Sequence, residues 1–459
     1  MSVAARAAKA SIIVRFASVE CTPQNRWSTA WLGPSRDGNA RAIFSPLDLN
    51  RAQSDDLNLL PGGHQLPRAT LTSAVTFTLA LSMSAPLAAA DVQLPSEPMA
   101  AEDVAAIDAG ISAVMEQHPE IPAFYVGLWS PERGSYQQAY GLADVATGRA
   151  AGLDDHFRIG SISKTFGAAI ILQLVDEGLL SLDDTVAEAD PDLAATFPEV
   201  SDIPIRDLLG MTSGIPDYMD VPDAAVAALT QAPDTQWDAM ELIRFGIDEG
   251  LRLVGTPGYS TTNYVILQQI AEALTGQPIQ ELVRERLTEP LGMPGTALPY
   301  NEDTTLPEPA AHGYMSPACN AELERDGAEP VPNGLDLTDW NASYGQIGGS
   351  MHSTLADMGT WAASMSGNST LSDELASERL ELHDAGLQVF DYGLGIMRAG
   401  TQLGHEGEAI GWEGWAGHDP DTGETFVVFT TTCSDGPALF SALAVLDPGM
   451  QSLADIFNQ

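Results

Sequence analysis

With 459 residues and 44% apolar content, the chain can bury a large core, and its length allows two or three domains. Twenty basic against 63 acidic side chains leave a net charge of −43, which argues against nucleic-acid binding and against docking on anionic membranes. Three cysteines, Cys21, Cys319 and Cys433, are too few for a disulfide scaffold or a cysteine-based zinc site, and neither metal nor organic cofactor is expected.

Residues 1–67 show no clear periodicity and hold seven of the basic side chains. At Arg68 the pattern changes: a basic flank precedes the short apolar run Leu71–Leu81, and small residues end at Ala88-Ala89-Ala90. That layout predicts a secretory signal peptide over 68–90, cleaved after Ala90, and a secreted or periplasmic protein. Either translation starts nearer Arg68 or residues 1–67 form an unusual leader. No segment beyond Ala90 is apolar over ~18 residues, so no stable membrane insertion is expected. The mature part, 91–459, keeps 12 basic and 58 acidic side chains, a net charge of −46; eleven of the twelve cations are arginine and one is lysine, Lys164.

Along the mature chain, Ile121–Leu128 and Ser135–Tyr140 read as strands joined through the hairpin-like Pro131–Gly134. A helix is predicted from about Ser161 to Glu177, closed by Gly178. Its Phe166, Ile170 and Leu174 recur at i, i+4 and i+8, with alanine and isoleucine elsewhere, so burial almost all round is expected. Residues 185–345 are rich in Pro, Asp and Ala, with helical stretches such as Thr262–Leu274. Leu394–Arg398, Gly411–His418 and Thr425–Thr431 read as strands, the last two joined by a turn at Asp419–Gly423. Strands at both ends around a helical middle predict an α+β fold (an α/β sandwich). Its antiparallel sheet is built from both ends of the mature chain and flanked by helices, with a helical subdomain inserted at about 185–345. Cys319 and Cys433 permit one disulfide.

The chemistry centres on Ser161-Ile162-Ser163-Lys164. Serine and lysine at i and i+3 project from one helix face, and a serine hydroxyl is a weak nucleophile until a neighbouring base takes its proton. A lysine amine serves if burial lowers its pKa towards neutrality, whereas arginine cannot act as a neutral base. That a mature chain otherwise purged of lysine keeps one here gives the short motif its weight. Two further segments join it: Pro257–Tyr264, which places Tyr259 near a helix start, and Leu403–Glu408, which leads into the 411–418 strand. Gly-x-Ser-x-Gly, P-loop and dinucleotide glycine patterns are absent, and His405-Glu406-Gly407-Glu408 is not a zinc motif.

In these motifs the chain resembles the serine β-lactamase-like superfamily, in the branch of class C β-lactamases, D-Ala-D-Ala carboxypeptidases, D-aminopeptidases and carboxylesterases. The matching segments are Ser161–Lys164, Tyr259-Ser260-Thr261 and His405-Glu406-Gly407, with Leu208–Tyr218 similar to the family's characteristic loop. The resemblance covers about residues 100–435. It implies a serine hydrolase acting on a small-molecule or short-peptide substrate: Ser161 is acylated, Lys164 and Tyr259 share proton transfer with either as base, and His405 supports the Tyr259 and substrate hydrogen bonds. The backbone N–H groups of Ser161 and Glu408 form the implied oxyanion hole, and Thr261, Glu406 and Gly407 contact substrate. Two positions depart from the pattern. Thr261 stands where asparagine is usual, with Asn263 as a register alternative; Glu406 stands where anion-binding relatives have Thr or Ser. If Glu406 faces the substrate it disfavours carboxylate-bearing β-lactams and peptides over neutral esters or amides bearing a free amine; if it faces solvent it does not. A β-lactamase or carboxypeptidase, or a catalytically silent relative that binds peptidoglycan or protein, are the alternatives. Trp412 and Trp415 fall on opposite strand faces, leaving one ring either to line an acyl pocket or to pack in the core.

Overall fold

The computed structural model describes residues 92–220, 234–325, 330–365, 369–387, 390–433 and 436–457. The predicted leader, the signal peptide and Cys21 lie outside these residues.

Ala123–Ser130 (β1) and Gly134–Asp144 (β2) form the expected hairpin, with Gly134 at φ 87°, a conformation that a Cβ resists. Seven more strands complete one antiparallel sheet: Arg149–Ala150 (β3), then, after the separate ribbon of Phe157–Arg158 (β4) with His352–Ser353 (β5), His383–Leu387 (β6), Phe390–Tyr392 (β7), Met397–Ala399 (β8), Gln402–Ala409 (β9), Trp412–Asp419 (β10) and Glu424–Thr430 (β11). The order β3-β2-β1-β11-β10-β9-β8-β7-β6 joins early and late strands of the described residues through β1 and β11, with Val126 opposite Val428. The expected antiparallel sheet built from both ends of the predicted mature part is therefore observed. β1 is buried at every position because it lies inside this sheet with both faces covered.

Two strand assignments change. Leu394 and Gly395 belong to a tight turn, in which the Gly393 amide donates to the Ile396 carbonyl at 2.8 Å, and the strand begins only at Met397. The His405 segment, read as a lead-in, is itself a strand, β9.

Helices cover both faces. Ala101–Gln117 (α1) opens the described chain; Ser163–Asp176 (α2) follows a single 3-10 turn, Gly160–Ile162. From Val186 to Gly348 every named element is helical, including Ala239–Asp248 (α3) and Thr261–Thr275 (α4). Leu355–Met365 (α5) packs on β1, β10 and β11, where Gly127 and Gly359 leave room for the Trp129 ring; a Cβ on Gly359 would meet it at 2.5 Å. Gly436–Leu446 (α6) covers the opposite face: Phe440 meets Phe390, which stacks on Trp415. Trp412 faces the other way, donating to the Ala311 carbonyl at 3.1 Å. Both tryptophans are fully buried, so each packs the core rather than lining a pocket. As the periodicity predicts, α2 is buried almost all round, with Phe166 stacked on Trp361 at 3.8 Å. Among the described residues, no helix is long and apolar enough to cross a membrane.

Cys319 and Cys433 are disulfide-bonded across 114 residues. The bridge ties a small cluster of Met315, Leu323 and Leu337 to the chain just after β11. Because so long a loop is closed, replacing both cysteines with serine is expected to cost about 2–5 kcal/mol, read as a lower urea midpoint with a somewhat steeper slope, since the denatured chain is no longer held compact.

Candidate active site

The β4-to-α2 turn can approach the sheet only because two residues lack a Cβ. Gly160 adopts φ 49°, and a Cβ there would lie 2.2 Å from the Glu408 carbonyl oxygen and 2.6 Å from its nitrogen. A Cβ on Gly407 would lie 2.0 Å from the Ile159 carbonyl. The backbone of Glu408 on β9 is thus pressed against the residue preceding Ser161.

At the second residue of α2, Lys164 is fully buried. Its Nζ donates to Ser161 Oγ at 2.9 Å and to the Gly348 carbonyl at 2.8 Å, and it lies 4.7 Å from the centre of the Tyr259 ring. Burial pulls the amine from its ordinary 10.5 down to about 7, with the nearby Asp217 carboxylate pulling the other way. The Gly348 carbonyl is delivered by a strained segment. Gln346 sits at φ 45°, ψ −149°, its side chain locked by Gln268 Nε2 at 3.0 Å and by its own donation to the Ser343 carbonyl at 2.6 Å.

Tyr259, half-buried just before α4, is hydrogen-bonded to Ser161; burial holds its phenol well above 10 despite the opposing effect of that bond. Ser161, Lys164 and Tyr259 therefore meet, although 95 residues separate the last two. His405 joins them with its ring centre 6.3 Å from that of Tyr259. It is fully buried, and burial drives it down to about 3, so the ring is neutral. Nδ1 contacts the Glu406 carbonyl and must carry the hydrogen, which leaves Nε2 to accept from the Tyr392 hydroxyl at 3.0 Å. Both nitrogens are engaged, and the contact with Tyr259 is ring to ring.

The remaining predicted residues are arranged differently. Thr261 is fully buried; its hydroxyl donates to Asp217 Oδ2 at 2.9 Å and its amide to the same oxygen at 2.8 Å, so the hydroxyl is already committed. Asn263 is also buried, accepting from Ser213 Oγ at 2.7 Å and donating to the Leu208 carbonyl at 3.1 Å; it ties the Leu208–Tyr218 loop to α4 rather than lining the site. Glu406 pairs across the ladder with Trp415, which puts it on the α6 face of the sheet, opposite to Gly407. Burial pushes its carboxyl up to about 7, and a hydrogen bond to Glu413 opposes the shift. It lies on the sheet face opposite to Gly407 and is partly exposed. Gly407 acts through the side chain it lacks. A cavity of about 640 Å³ lined by Val283, Met293, Leu298 and Tyr300 contains none of these groups.

Sequence reasoning missed Asp217 and Gln346. Asp217 stands in the recognised loop, but its partner Thr261 is 44 residues away and no local pattern links them. The strain at Gln346 has no compositional signal, since glutamine is not a residue that favours positive φ.

A family model described as Beta-lactamase matches residues 111–446. The chain is 31% identical to penicillin-binding protein 4 of Amycolatopsis lactamdurans over 214 residues, 46% of this chain and 52% of that one. It is 30% identical to esterase EstB of Burkholderia gladioli over 212 residues, covering 43% and 52%. It thus spans about half the length of these curated relatives. A D-stereospecific amidohydrolase from Streptomyces sp. shares the fold, with a TM-score of 0.65 at 24% identity over 75% of this chain and 99% of that one.

Proposed function

The chain belongs to the beta-lactamase family, and from that premise we propose that it is an exported serine hydrolase that cleaves small-molecule or short-peptide esters or amides through an acyl-enzyme on Ser161. One observation carries this reading: a fully buried Lys164 amine, poised near neutrality, lies 2.9 Å from the Ser161 hydroxyl.

In the proposed reaction, neutral Lys164 takes the hydroxyl proton as Ser161 Oγ bonds to the substrate carbonyl carbon. The carbonyl oxygen gains the negative charge and is met by the backbone N–H groups of Ser161 and Glu408; such a donor contributes about 3 kcal/mol. When the carbonyl–heteroatom bond breaks, the leaving alcohol or amine takes a proton supplied through Tyr259 and Lys164. Water then attacks the ester carbonyl and gives up a proton by the same route; that proton returns to Ser161 Oγ as the Oγ–acyl bond breaks and the acid is released. Lys164 is favoured as base because its amine is lowered towards neutrality, whereas Tyr259 is raised and keeps its proton. The excess of acidic side chains favours neutral or amine-bearing substrates over anionic ones. Export is supported by the Cys319–Cys433 bridge, which persists in oxidising compartments.

The test is a panel of short p-nitrophenyl esters, D-amino-acid amides and nitrocefin, run on wild type and Ser161→Ala, with the intact mass of the quenched enzyme measured. Turnover of esters or amides with an adduct on Ser161, lost in the alanine variant, is expected. Rapid nitrocefin hydrolysis identifies a β-lactamase instead. Failure of Ser161 to take label from a fluorophosphonate or a penicillin overturns the hydrolase reading in favour of a silent binding protein.

A further inference from the structure

Asp217 is 6% exposed and lies on the loop that runs beneath the start of α4. Its Oδ2 receives the Thr261 amide and hydroxyl, and its Oδ1 receives the Met219 amide at 3.0 Å. The methyl of the same threonine closes on Gly348, where a Cβ would lie 2.6 Å from it. Gly348 in turn offers its carbonyl to Lys164 Nζ. One buried side chain, Thr261, therefore links an anion on one side to the lysine's acceptor on the other.

We propose that Asp217 is a positioning residue of the proton-transfer centre, a fixed counter-charge to Lys164 that Thr261 tethers in place of the usual asparagine. This rests on the reading of Lys164 as the base. Thr261, read from sequence as a substrate contact, then acts on the lysine instead. The other groups around the amine do not supply that charge. Tyr259, Tyr264, Tyr218 and Tyr392 are raised by burial and keep their protons. His405 is neutral, and the Glu406 carboxyl is hydrogen-bonded to Glu413 across the sheet. Arg379, buried behind α2, donates to the carbonyls of Met365, Thr165 and Gly395. Asp217 is the carboxylate that opposes the effect of burial on Lys164.

Lys9 and Lys164 are the two lysines of the whole chain, so Lys164 can be titrated without any substrate. In the full chain carrying ¹³Cε-lysine, two side-chain signals are expected, and Lys9→Arg assigns them. Asp217→Asn keeps the shape and removes the charge. The Lys164 midpoint is expected to fall by about one pH unit, and the acid limb of kcat/KM to fall with it while circular dichroism is unchanged. A midpoint that stays or rises overturns the proposal, as does a loss of thermal stability with no change in titration, which marks a purely structural tether. If the asparagine variant does not fold, Asp217→Ser gives the same reading. A wild type that lacks Ser161-dependent turnover removes the hydrolase reading, while the lysine midpoint still decides the role of Asp217.

Discussion

Lys164→Arg is expected to reduce kcat/KM by about 10³-fold or more, although it preserves the positive charge. Arginine is tolerated inside this protein, as buried Arg158 and Arg379 show: each donates to backbone carbonyls, although Arg158 Nη1 and Arg379 Nε have no partner among the described residues. Loss of activity in a folded variant therefore reports proton affinity rather than bulk. Burial brings the lysine down to about 7, whereas a guanidinium retains its proton throughout the accessible range. For wild type the sign follows directly. Below pH 7 the amine is mostly protonated and no base is present; as pH rises through 7 the neutral fraction grows, so kcat/KM climbs with an acid limb near that value. Steady-state rates between pH 5 and 9, with fluorophosphonate labelling of Ser161 in parallel, test both statements. Wild-type rates in a folded Lys164→Arg protein remove Lys164 as base.

Gly160→Ala is expected to slow acylation by about 10²–10³-fold, the loss associated with one oxyanion donor. The methyl would enter the space of the Glu408 backbone, only 2.2 Å from its carbonyl oxygen, at a residue that already sits at φ 49°. Neither partner yields cheaply, because Glu408 is held in the β9–β10 ladder opposite Glu413 and the Ile159 N–H donates to the Met351 carbonyl at 3.0 Å. The turn and the strand must separate, and the Ser161 and Glu408 amides separate with them. The measurement is the single-turnover rate of Ser161 labelling beside the thermal midpoint: a large kinetic loss with a midpoint lower by a few degrees is expected. An unchanged labelling rate contradicts this contact as the source of the oxyanion hole.

The α2 core was legible because its signal is local: Phe166, Ile170 and Leu174 repeat at the helical period, and the structure buries them all. The two hairpins were legible for the same reason, through Gly134 and the Asp419–Gly423 turn. β6, β7 and β8 are short and broken by tight turns, and their sequence lacks a sustained alternation that would identify them. The His405 ring stands 6.3 Å from that of Tyr259, but its protonation state was not legible in the sequence. Its tautomer follows from a carbonyl and a phenol contributed by the strand segments around it, and no motif contains both.

Glu406 marks the boundary between the two levels. A carboxylate one residue after His405 suggested a charge facing the substrate or solvent. The ladder instead turns it to the far side of the sheet, beside Glu413. Sequence by itself determined which chemical groups exist and the short-range geometry of each: a serine and a lysine one turn apart, a tyrosine at a helix start, glycines where strand and turn meet. Tertiary structure decided their environment: Asp217 bound to Thr261, Gly348 presented to Lys164 by a strained Gln346, Cys319 joined to Cys433. Helical and strand periods are set by neighbours along the backbone, whereas desolvation and charge pairing depend on which distant surfaces the sheet register brings together.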